Sequence, residues 1–93
     1  MNISEVCEIV KGDDKKRIIS AVETNRKYMK NYPKHNLEAL NAMFREWSNV
    51  FPSQKQDMNC SSCRNAVYKF WTLVVEEWKA SEIVVKSKIQ NNG

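Results

Sequence analysis

The stretch Cys60-Ser-Ser-Cys63-Arg64-Asn-Ala-Val67-Tyr-Lys-Phe70-Trp71-Thr-Leu-Val74-Val-Glu-Glu-Trp78 joins a short cysteine pair to the longest apolar-periodic run in the chain. Val67, Trp71, Val74 and Trp78 follow one another at spacings of four, three and four, with Cys63, Phe70 and Val85 on the same side. Asn65, Lys69, Thr72, Glu76 and Lys79 fall opposite. Apolar residues at this spacing make the one-sided stripe of a core-facing helix. Two tryptophans and a phenylalanine on one face are a large apolar surface, so other segments must cover them. The stripe predicts a central helix continuing to about residue 86.

Working back from it, Asn36 precedes Leu37, Leu40, Phe44, Trp47 and Phe51, whose spacings alternate between three and four, and Pro52 closes that run. This predicts a capped amphipathic helix. Ile18, Val22 and Met29 share a narrow arc of an earlier helix, which Asp13 or Asp14 can cap and which ends before Pro33 because the residue preceding proline is driven out of helical geometry. Asn2 with Glu5 is the reciprocal cap of a short first helix whose apolar face is Val6, Ile9 and Val10. Ser53 to Asn59 is a polar loop, and either Asn59 or Ser61 could cap the central helix. The expectation is an all-α single domain over residues 1–93. It is a small antiparallel bundle of three long helices plus a short N-terminal helix within 1–12, with a frayed tail over 87–93.

The 93 residues suffice for one core but not for a two-domain cleft. No stretch approaches the roughly 20 apolar residues of a membrane span, and the first residues lack the basic and apolar regions of a signal peptide. With three cysteines, too few for a disulfide framework, the reading is a cytoplasmic protein with free thiols. The net charge of +4 is unevenly placed: residues 11–34 hold eight lysines and arginines against three acids. Such a basic half suits an acidic partner, whether a protein surface or nucleic acid.

Four groups of residues are candidates for function. Cys60 and Cys63 have the spacing of a redox dithiol at a helix start, where the dipole favours a thiolate, although the strand-helix-strand setting of thioredoxin-like enzymes is missing. With Cys7 and His35 they make a formally complete three-cysteine, one-histidine zinc set, and two chains sharing one ion through their cysteine pairs is a variant of it. That set follows no finger or ribbon spacing, since Cys7 and His35 are 28 residues apart. The preferred reading needs no zinc or other cofactor: Cys63 is a small buried hydrophobe and Cys60 a partly exposed helix end. Tyr28, Tyr32 and Trp47 are the candidate protein contacts. Lys16, Lys27 and Lys30, with Arg26 at the margin, form a helical row able to follow phosphates, interrupted by Glu23, which is placed to pair with Lys27. No serine or acid stands at a triad spacing from the lone His35, and Glu76-Glu77 is simply part of a polar face, so no catalytic residue is assigned.

The run Trp47-x3-Phe51-Pro-Ser-Gln-Lys-Gln-x3-Cys60-x2-Cys63-Arg64-x2-Val67, ending in a tryptophan-rich helix, resembles small accessory proteins of tailed bacteriophages that carry C-x-x-C-R ahead of an amphipathic helix. The resemblance covers about residues 37–79. It implies a viral protein acting in the bacterial cytoplasm by binding or inhibiting a host or phage protein, or by binding nucleic acid. It brings no catalytic residues with it. The sequence reading favours a non-enzymatic module that binds a protein partner or itself, with nucleic-acid backbone binding as the alternative.

Overall fold

The computed structural model describes residues 2–92, with side chains described as far as Glu82. Four helices make up the fold: α1 (Ile3–Ile9), α2 (Gly12–Asn31), α3 (Leu37–Val50) and α4 (Ser61–Asn92). No strand occurs among the described residues. At 1.5 Å per residue α4 is about 48 Å long, close to the 51 Å long dimension of the molecule. It therefore forms the spine against which α1, α2 and α3 all pack, while α2 and α3 also pack on each other.

The helix ends show local chemistry at work. Asn2 and Glu5 form the expected reciprocal cap, the Asn2 side chain accepting from the Glu5 amide at 2.9 Å and Glu5 accepting from the Asn2 amide at 3.3 Å. Asn36 caps α3 through the Ala39 amide at 3.0 Å. Tyr32 ends α2 in extended geometry directly before Pro33, as expected. The start of α2 differs from expectation. Lys11 occupies the cap position without a side-chain bond, and Asp13 and Asp14 lie in the first turn, where their charge complements the helix dipole. Gly12, at φ +60°, makes the reversal from α1 in a backbone region that other residues enter only at a cost.

Neither Asn59 nor Ser61 caps α4. Cys60 does, its carbonyl accepting from the Arg64 amide at 3.0 Å and its sulfur from the Cys63 amide at 3.4 Å. The helix continues to Asn92, past the expected end near residue 86 and through the segment read as a frayed tail. The expected place of Val85 on the stripe lies outside the described side chains.

The apolar stripes meet as their spacing requires. Val67, Trp71, Val74 and Trp78 of α4 are buried against Leu40, Phe44, Trp47 and Phe51 from α3, Ile18 and Val22 from α2, and Val6 and Val10 from the α1 end. Both α4 indoles also satisfy their polar edge. Trp71 Nε1 donates to the Met43 carbonyl at 3.0 Å, and Trp78 Nε1 donates to the Cys7 carbonyl at 3.1 Å, which fastens α1 to the spine. Ile9 and Leu37, expected on the apolar faces, are 55% and 59% exposed. Each lies at the end of its helix, beyond the reach of the opposing stripe.

Candidate functional site

The α2–α3 loop packs against the head of α4 through a polar network that the apolar pattern does not announce. Asn25 of α2 is fully buried. Its Oδ1 accepts from the Asn36 amide at 2.7 Å, and a backbone amide can only donate, so the orientation of the Asn25 side chain is fixed. Its Nδ2 therefore donates to His35 Nδ1 at 2.9 Å, leaving His35 Nε2 to donate to Asn65 Oδ1 at 2.8 Å. One tautomer of His35 satisfies every bond, and the imidazole ties α2 to α4. Tyr68 meets the same ring edge-on, with centroids 5.3 Å apart. His35 is a structural link here rather than an idle loop residue. The sequence signal for the network was a polar residue at the place in the Ile18–Val22–Met29 arc where an apolar one was due.

Around this network the surface forms an open cleft of about 530 Å³ lined by Tyr28, Lys34, His35, Asn36, Leu37, Glu38 and Arg64. A second depression of about 300 Å³ shares Lys34, His35 and Arg64 and adds Met29, Pro33, Ser61 and Asn65. Tyr28 and Tyr32 stack with ring centroids 4.5 Å apart. Tyr32, Met29 and Leu37 are 51%, 39% and 59% exposed, a group of large apolar side chains on one corner of the molecule. Arg64 is held there by a hydrogen bond from Nε to the Met58 carbonyl.

The third proposed contact residue, Trp47, is not on this surface. It is buried between Phe51 and Phe70, with centroids 4.5 and 5.2 Å away, and Nε1 donates to the Gln54 carbonyl at 2.6 Å. Its role is to pin the 51–60 loop to the core.

On the basic row, Lys16, Lys27 and Lys30 are exposed and Arg26 is half-buried. Glu23 does not pair with Lys27. It reaches across to Lys79 of α4 at 3.3 Å, and among the described residues Lys16, Lys27 and Lys30 make no ion pair. Lys15, at the start of α2, instead lies 5.2 Å from the centre of the Trp78 ring, in cation–π contact.

The four residues of the formal zinc set are not assembled. The Cys7 thiol faces the Val74 carbonyl at 3.7 Å, eleven residues beyond Cys63 and so about 16 Å along the helix axis. Both nitrogens of His35 are already engaged by asparagines. Among the described residues no group of three or more histidine, cysteine or acidic side chains is placed to hold a metal.

The three thiols have opposite characters. Burial pushes the Cys7 thiol up, and the nearby Glu77 carboxylate adds to the effect. Hydrogen bonds from the Cys63 thiol, from Ser62 and from the Cys63 amide bring Cys60 down to about 7, whereas Cys63, as donor to Cys60, is raised. Cys60 and Cys63 are both partly exposed.

Compared with family models, curated proteins and solved structures, the chain finds no match in any of the three. Among the described residues no helix is long and apolar enough to cross a membrane.

Proposed function

We propose that this protein is a helical binding module that docks a partner protein through the corner formed by the end of α2, the start of α3 and the head of α4. The observation that carries this reading is the grouping of the Tyr28–Tyr32 stack with exposed Met29 and Leu37 around Lys34 and Arg64. Tyrosine and arginine beside exposed apolar side chains are the composition of an interface centre. The corner is also supported from beneath by the Asn25–His35–Asn65 bonds, so little ordering is needed on binding. Such a surface suits a partner offering an apolar anchor flanked by carboxylates. A place among the accessory proteins of tailed phages, acting in the host cytoplasm, belongs to the same reading and rests on the Cys60, Cys63 and Arg64 motif.

A photo-crosslinking residue in place of Tyr32, activated in the producing cells, tests the corner. The expected result is a discrete protein adduct that disappears when Leu37→Ser is added, with thermal melting unchanged. Diffuse labelling indifferent to Leu37→Ser would remove the corner as the contact.

The second reading, binding to a nucleic-acid backbone, is favoured by one observation: the Glu23–Lys79 pair leaves Lys16, Lys27 and Lys30 free of the neighbouring acid. Phosphate binding loses affinity with a log–log salt slope of about −0.9 per phosphate on duplex DNA, whereas an apolar contact scarcely responds. Salt-steep retention on DNA or RNA, abolished by Lys27→Glu with Lys30→Glu in a folded protein, would put this reading in place of the first.

A further inference from the structure

The geometry points to Cys60 and Cys63 as a thiol–disulfide exchange site, with Cys60 the attacking thiol, Cys63 the resolving thiol and disulfides of the glutathione class as substrate. This activity is separate from partner binding and does not depend on it. Three features of the α4 head support it. The two cysteines occupy the cap position and the third helical residue, one turn apart, and the Cys63 backbone amide donates to the Cys60 sulfur at 3.4 Å. The Cys60 sulfur lies 3.2 Å from Ser62 Oγ, a hydroxyl able to donate to a thiolate, beside the Cys63 amide that already donates to it. Both residues are partly exposed, and α4 presents its positive end to them.

Cys7 provides the contrast within the same chain. Its thiol is pushed up by burial and faces the Val74 carbonyl, which is the setting of an inert structural cysteine. At the head of α4 the asymmetry runs the other way, with Cys60 brought to about 7 and Cys63 raised. The attacking role therefore falls to the thiol whose ionisation is favoured, and the resolving role to its neighbour.

The reaction balances without a metal or further cofactor. The Cys60 thiolate attacks one sulfur of the substrate disulfide, forming a mixed disulfide, and the displaced thiolate takes a proton from solvent. Cys63 then gives up its proton to solvent and attacks the Cys60 sulfur, releasing the second thiolate. Two protein thiols are oxidised to one disulfide, and one substrate disulfide is reduced to two thiols. The Cα separation needed for a bridge, about 4.4–6.8 Å, is within the reach of residues one helical turn apart.

The experiment uses the intact protein and glutathione disulfide, with peptide mapping by mass spectrometry. The wild type should form the Cys60–Cys63 disulfide, and Cys63→Ser should stop at glutathione attached to Cys60. Cys60→Ser, which retains a good capping side chain, should react at Cys63 at least about fivefold more slowly than Cys60 reacts at pH 7. That factor is the gain in thiolate fraction less the lower nucleophilicity of a more acidic thiol. On the unmutated protein, alkylation of Cys60 should titrate with a midpoint near 7. If Cys63→Ser does not fold, Cys63→Ala supplies the same trapping test. A Cys60 midpoint in the ordinary thiol range, equal rates at the two cysteines, or no adduct on Cys60 in the resolving-cysteine variants would overturn the assignment.

Discussion

The two halves of α4 are held to the rest of the molecule by different physics. From Val67 to Trp78 the helix is fastened by apolar area, with the indoles of Trp71 and Trp78 burying their rings and using their single N–H groups to reach carbonyls of α3 and α1. At its head, from Cys60 to Asn65, the contacts are hydrogen bonds: Asn65 to His35, Arg64 to the Met58 carbonyl, and the cysteine cap. Apolar burial is non-directional and tolerates small shifts, whereas a buried polar network depends on every member being satisfied. The same helix is thus a packed spine at one end and a chemically specific surface at the other, and the docking corner and the cysteine pair both lie at the specific end.

The largest effect should come from the packed half. Trp71→Ala removes a fully buried ring that touches Phe70 edge-on at 5.0 Å, together with its hydrogen bond to the Met43 carbonyl. Large aromatic truncations in a core cost about 3–5 kcal/mol. Chemical denaturation should show that loss. A variant as stable as the parent would mean that the stripe does not hold the spine, and the contrast between the two halves would collapse.

The polar half is probed by Asn25→Ala. This change leaves the Asn36 amide and His35 Nδ1 without their buried partner, at a cost of about 1–3 kcal/mol. Because His35 in turn positions Asn65, the loss should also show as faster hydrogen exchange at the start of α4. The amides around Trp71 and Trp78 should keep their relative protection. Uniform acceleration along the whole helix would show that the two halves open as one unit.

The halves also differ in how legible they were in sequence. Periodicity reports burial, so Val67, Trp71, Val74 and Trp78 could be placed from spacing alone, as could the caps Asn2 and Asn36 from residue type. The polar head was not readable in this way, because its partners are 10, 11 and 30 residues apart in the chain. Glu23 shows the same limit: its local partner was Lys27, but a neighbouring helix offered Lys79. Trp47 is a different case. Its place in a three-four stripe marks it for the core, where it lies, and the aromatic character that also suits a contact residue serves packing here. Cys60 is not legible as a cap because cysteine is outside the usual set of capping residues.

The smallest predicted effect sharpens the distinction between a polar group that is buried within a network and one that is merely buried. Glu46 of α3 is 7% exposed and has no counterpart to the Asn25 network. Burial raises its carboxyl above the ordinary range and the Asp14 carboxylate adds to this, while a hydrogen bond from Asn49 and the Arg17 charge oppose it. A raised folded-state value means that the folded chain holds the proton more tightly than the unfolded chain. The protonated side chain's advantage is therefore fully present below the ordinary glutamate range and is lost as pH rises through the folded value. As pH rises through that folded value Glu46 gives up its proton and the fold weakens. Glu46→Gln keeps the shape and a hydrogen-bonding group for Asn49, so it should raise the melting temperature slightly at pH 7. The gap should close as pH falls below the ordinary carboxylate range. Melting curves of the two proteins across that pH range check both sign and window. A variant less stable than the parent at pH 7 would show that the charge on Glu46 is compensated as fully as the dipoles of Asn25, and that α3 carries a second working polar network.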